Sequence, residues 1–167
     1  MGYNYSVKVA ENAAKAVGVA LPISRKESVM VCQAVRGMQV AKAKRLLEDV
    51  VAMKKAIPFT KYNDNMGHKH GMKSGAFPVS TCQQVLMVLK SAESNALGKG
   101  LSAANLVVMH ASAQKGPTAY HYGRQRTKAK RTHIELVLAE KKESAKPVRA
   151  AKKAESKPAA QKPGVEK

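Results

Sequence analysis

Three stretches of the chain alternate apolar and polar residues at the two-residue period of a strand lying on a core. The clearest is HIELVLAE at residues 133–140, where Ile134, Leu136 and Leu138 take turns with His133, Glu135 and Val137. That spacing predicts a half-buried strand. A second run, LVVMHASA at 106–113, comes before it, and the two together predict an antiparallel pair. Residues 5–21 alternate more loosely, and Ala16, Val17, Val19 and Leu21 predict a third strand, ended by Pro22.

Elsewhere the period is helical. Ser24 followed by Glu27 reads as a capping box, opening a helix through Val29, Cys32 and Val35 that Gly37 stops. A second helix covers residues 39 to about 54, with Val40, Ala43, Leu47 and Val50 on one face, and Pro58 closes it. The third runs from about 79 to 97. It sets Cys82, Val85, Leu86, Leu89 and Ala96 in one stripe before Gly98 and Gly100. Residues 59–78 carry turn formers and basic side chains without an apolar period, which predicts a loop.

The stretch KGPTAYHYGRQRTKAKRT at 115–132 joins the last two predicted strands and is too long for a tight turn. If pairing continues outward, each arm of about nine residues, at roughly 3.3 Å each, projects about 30 Å as a ribbon. Its charge is of one sign. Lys115, Arg124, Arg126, Lys128, Lys130 and Arg131 are cationic, and residues 94–134 contain no Asp or Glu. The whole chain of 167 residues has 30 Lys plus Arg against 11 Asp plus Glu, a net charge of +19 that exceeds what solubility needs. A dense polyanion is the expected partner, because a one-signed arm repels itself until counterions are released along a phosphate backbone.

Composition also sets limits. The length fits one domain, residues 1–143, with the hairpin at about 106–140. Residues 144–167, rich in Ala, Lys and Pro, are expected to be a disordered basic tail. No signal peptide or bilayer-length apolar run is present, so a cytosolic protein without a membrane partner is expected. Cys32 and Cys82 lack CxxC spacing and sit in apolar helical patterns, which predicts two buried thiols. His68 and His70 lack the companions of a zinc site. Gly98-Lys99-Gly100 lacks the Ser or Thr of a phosphate loop and follows a helix instead of opening one. No catalytic constellation assembles from local motifs, so neither an enzyme nor a cofactor is expected.

Several ordered motifs resemble one family, the large-subunit ribosomal protein numbered twenty-two, seventeen in the older eukaryotic naming. They are Ser24-Arg25-Lys26 leading to Val35-Arg36-Gly37, LKSAESNA at 89–96, Gly116-Pro117, and KRTHIELVLAE at 130–140. Pro58-Phe59, Tyr62-Asn63 and Gly67-His68 resemble the archaeal and eukaryotic branch. The resemblance implies an α+β fold, three helices packed on a small antiparallel sheet with a long extended basic β-hairpin. It implies a cytoplasmic protein in the ribosome, bound to large-subunit ribosomal RNA and neighbouring ribosomal proteins, with no homo-oligomer. The hairpin tip, Tyr120, His121, Tyr122, Gly123 and Arg124, would meet the nascent polypeptide in the exit tunnel, on a tip shorter than the bacterial one. With 4% aromatic residues, phosphate contacts should outweigh base stacking. The six ribbon cations are the main RNA-binding candidates, followed by Arg36, Lys99, Arg25 and Lys26. An architectural DNA-binding protein with a basic β-arm is the alternative, and a membrane-surface binder would need aromatic anchors that the second helix lacks.

Overall fold

The computed structural model describes residues 3–8 and 12–140. Strand β1 (Ala13–Leu21) leads into helices α1 (Arg25–Val35) and α2 (Val40–Val51). The two-residue strands β2 (Ile57–Pro58) and β3 (Gly75–Ala76) pair with each other and pin the base of the predicted loop. Helix α3 (Val79–Gly98) and a single 3-10 turn follow, and then β4 (Leu106–Lys115), β5 (Ala119–Tyr120), β6 (Lys128–Ala129) and β7 (Thr132–Glu140). The end of the domain at 143 and the tail at 144–167 lie outside the described residues.

The main sheet has the order β1-β7-β4, antiparallel throughout. The last strand in sequence is therefore the middle one. Helices α1 and α3 lie on one face, α1 over β4 and α3 over β1 and β7, while α2 packs mainly on α3. The expected α+β architecture is present. Its core is the sum of the predicted stripes: Val31 and Val35 from α1, Leu47 and Val50 from α2, Val85 and Leu89 from α3, and Ile134, Leu136 and Leu138 from β7 are all fully buried. Cys32 and Cys82 are buried free thiols, and burial pushes each up to about 12.

Three expectations need correction. Ser24 does precede α1, but its side chain makes no cap bond, and the Glu27 carboxylate accepts from Thr81 Oγ1 at 3.0 Å. The acid ties α1 to α3 instead of closing a capping box. Helix α2 ends at Val51 rather than near 54, because Met53 takes a φ of +56° and turns the chain toward β2. Strand β7 is buried on both faces along Ile134–Leu138, not on one. Its supposed solvent face is covered by the N-terminal segment, where the Tyr3 hydroxyl donates to Glu135 at 2.8 Å and the Ser6 hydroxyl at 2.6 Å.

Gly37 behaves as expected. At φ +79° it ends α1, and its amide donates to the Val108 carbonyl at 2.8 Å. An added Cβ would meet nothing within 4 Å, so Gly37→Ala tests backbone conformation alone. It is expected to cost about 1 to 2 kcal/mol, read as a lower urea midpoint at unchanged slope.

Candidate nucleic-acid interface

The ribbon starts where β4 and β7 end, at the Lys115–Thr132 pair. One step outward the Gly116 amide donates to the Arg131 carbonyl at 2.9 Å. A Cβ on Gly116 would lie 3.0 Å from the backbone of Arg131, so any side chain here would make the arms shift apart by a few tenths of an ångström. Pairing resumes with Ala119–Ala129 and Tyr120–Lys128 and closes with the His121 amide on the Thr127 carbonyl at 3.2 Å. The predicted outward continuation of the hairpin exists, but it is interrupted. Between the Gly116–Arg131 bond and the Ala119–Ala129 pair, the outgoing arm has Pro117 and Thr118 where the returning arm has only Lys130. One surplus residue bends a strand as a bulge does, and Pro117 cannot donate to a ladder.

That bend opens a cleft of about 450 Å³ between the root of the ribbon and the first turn of α1. Six of the predicted residues line it: Arg25 and Lys26 from the helix, and Lys115, Lys128, Lys130 and Arg131 from the ribbon. No carboxylate is among its lining residues. Among the described residues the ion pairs are Lys44–Glu93 and His110–Glu135, so none of the six cations has an acidic partner there. The amide end of α1 faces the same cleft: its first N–H groups donate to no acceptor on the Ser24 side chain, and their positive field is only partly offset by Glu27 in the same turn. Arg131 Nη1 reaches the Ala20 carbonyl only at 3.5 Å, and Lys26 Nζ stands 5.6 Å from the centre of the Tyr62 ring. Both cations keep donors for another partner.

Arg124 and Arg126 lie apart from the cleft, exposed at the tip with His121 and Gly123, the latter at φ +70° in the turn. Tyr122 is 98% exposed and Tyr120 62%, so the tip offers two flat rings to whatever surrounds it. The second-rank cations are placed differently. Arg36 Nη2 donates to the Ala111 carbonyl at 2.5 Å, and Lys99 Nζ to the Ala13 carbonyl at 2.8 Å. They stitch helix ends to strands and do not join the six.

The arrangement was only half visible in the sequence. Gly116, Pro117, Thr118 and Ala129 also line the cleft, and the one advance signal was the Gly-Pro pair interrupting an otherwise polar arm.

Behind the sheet, Ser6, His110 and Glu135 come together as a hydrolase triad would, but their geometry serves structure. Ser6 Oγ and Glu135 Oε2 both face His110 Nε2, at 3.2 and 3.7 Å, whereas a proton relay uses the two different ring nitrogens. Among the described residues no group of three or more His, Cys, Asp or Glu side chains could hold a metal, and no helix is long and apolar enough to cross a membrane.

Comparison with known proteins gives a consistent result. The model of the family described as ribosomal protein L22p/L17e matches residues 16–139. The chain is 42% identical over 125 residues to the large ribosomal subunit protein uL22 of Archaeoglobus fulgidus, covering 73% of this chain and 81% of that one. It is likewise 42% identical over 146 residues to the uL22 of Methanothrix thermoacetophila, covering 82% and 96%. To that of Methanosphaera stadtmanae it is 39% identical over 147 residues, covering 83% and 96%.

Proposed function

The chain belongs to the L22p/L17e family of large-subunit ribosomal proteins, of the archaeal type, and from that premise we propose that its basic cleft and ribbon bind ribosomal RNA. Membership makes it a structural component of the cytoplasmic ribosome and not an enzyme. The observation that carries the RNA reading is the cleft with six cations, none paired to an acid among the described residues. Such a surface stays electrostatically unsatisfied in the free protein and is neutralised by a folded polyanion. Arg25 and Arg131 can hold phosphate bidentately, and the four lysines act as point charges around them.

The ribbon beyond the cleft has a second task in this reading. Its tip, with Tyr120, His121, Tyr122, Gly123 and Arg124 all exposed, has no core to pack on and reaches past the body. There it contributes to the wall of the exit tunnel, beside the nascent polypeptide. Neighbouring ribosomal proteins of the large subunit are its other partners.

Two measurements test the assignment. In lysate the protein should co-sediment with large subunits and be released by ribonuclease; release by a DNA-specific nuclease alone would transfer the proposal to an architectural DNA-binding protein. In the purified protein, Arg124→Ala with Arg126→Ala should lower the slope of log affinity against log salt by about 1.4 to 1.8 if both arginines touch phosphate. An unchanged slope would mean that the tip arginines touch no phosphate and point into open solvent or the tunnel.

A further inference from the structure

We propose that the cleft at the root of the ribbon receives a single extruded nucleotide, and that the protein therefore selects RNA carrying a bulged or looped-out base. The inference rests on the RNA-binding reading and adds the kind of RNA. Size favours a single nucleotide. A cleft of about 450 Å³ falls in the range that encloses one small-molecule-sized group, roughly 300 to 1,000 Å³, and a paired helix cannot enter it.

The lining suits both parts of a nucleotide. Lys115, Lys128 and Lys130 with Arg25, Lys26 and Arg131 supply charge for the phosphates on either side of an everted residue. Gly116, Pro117, Thr118 and Ala129 supply an uncharged surface with no long side chain to fill the space. A site that bound only backbone would need the charges and not the neutral surface. Bases are read in RNA when they are unstacked and laid against apolar or guanidinium planes, and Pro117 and Arg131 offer one of each.

The space has a specific origin in the ribbon. The cleft coincides with the one place beyond β4 and β7 where the two arms are unequal, Pro117 and Thr118 facing Lys130, directly after the Gly116–Arg131 bond of 2.9 Å. A ribbon that only tracked a phosphate backbone would gain nothing from breaking its own ladder. Everting a base from a duplex costs free energy, least where the base is already unpaired. Preference for a bulge over a perfect duplex follows.

The experiment uses the full chain and two fluorescently labelled RNAs, a duplex with one unpaired adenosine and the same duplex without it. Wild type is expected to bind the bulged RNA about ten-fold more tightly. Ala129→Leu fills the cleft without changing charge, and Thr118→Trp does so from an exposed position that places no demand on the core. Each is expected to abolish the preference, so that the ratio of bulged to perfect-duplex affinity measured with the same variant falls to about one. Equal affinity of wild type for both RNAs, or a preference that survives both substitutions in folded protein, overturns the inference and leaves the RNA-binding reading standing. Failure of wild type to bind either RNA overturns both.

Discussion

Replacing Lys115, Lys128, Lys130 and Arg131 together by glutamine is expected to weaken RNA binding roughly a hundred- to a thousand-fold near 0.15 M salt. The figure follows from counterion release: four phosphates left without a cation, at about 0.7 to 0.9 each, lower the salt slope by about 3, worth roughly 3 to 4 kcal/mol at that ionic strength. Folding should be nearly untouched. The three lysines are exposed, none of the four forms an ion pair among the described residues, and the arginine's bond to Ala20 is long. Filter binding from about 50 to 500 mM salt, alongside urea denaturation, separates the two quantities. A fall in affinity with an unaltered slope would mean that the cleft holds no phosphate.

The second large effect concerns the acid beneath the N-terminal segment. Glu135 has no exposed surface, and its carboxylate accepts from the Tyr3 hydroxyl, the Ser6 amide and hydroxyl, and Gln114 Nε2 at 2.7 Å. Burial alone would raise it. The Ser6 hydroxyl, the Tyr3 hydroxyl, the Ser6 amide and the nearby His110 together outweigh burial and hold the carboxyl below its ordinary range. Glu135→Ala takes the shared acceptor from the half-buried Tyr3 and Gln114 and the exposed Ser6, leaves a gap beneath the segment, and is expected to cost about 2 to 3 kcal/mol at neutral pH.

The acid dependence has a definite sign. Because the folded value is depressed, the stabilisation from Glu135 is complete above its unfolded value near 4.5 and is lost as pH falls through the folded one. Wild type should therefore lose stability more steeply below about pH 5 than Glu135→Gln does. Parallel acid-unfolding curves for the two would show that the carboxyl titrates alike in the folded and unfolded chains and that its depression is absent. The same carboxylate helps push Tyr3 up to about 12, after burial, so phenol ionisation threatens the latch only in strong alkali.

This latch explains what could and could not be seen in the sequence. The alternation of Ile134, Leu136 and Leu138 located β7 and its inner face, because a two-residue period carries that information locally. It also marked Glu135 as a solvent position. Its burial depends on Tyr3 and Ser6, 132 and 129 residues away along the chain, and no local period encodes such a contact. The cleft has the same history. The six cations were legible as charge, but their convergence depends on α1 starting beside the ribbon's root, a product of the fold rather than of spacing. Glu27, Arg36 and Lys99 show the converse case. Each was read from its local motif or its charge, and each is occupied with a hydroxyl or a carbonyl brought from elsewhere.

The order β1-β7-β4 also governs how the molecule can come into being. Both outer strands are synthesised before the one that joins them, so a chain elongating on its own template has two unmatched edges and no main sheet until β7 has been added. Its helices can form early, since their contacts are short in sequence. The basic arm, made between β4 and β7, exists before the platform that aims it. Maturation of the protein is in this sense a single late event, and any truncation before the final strand leaves charge without direction.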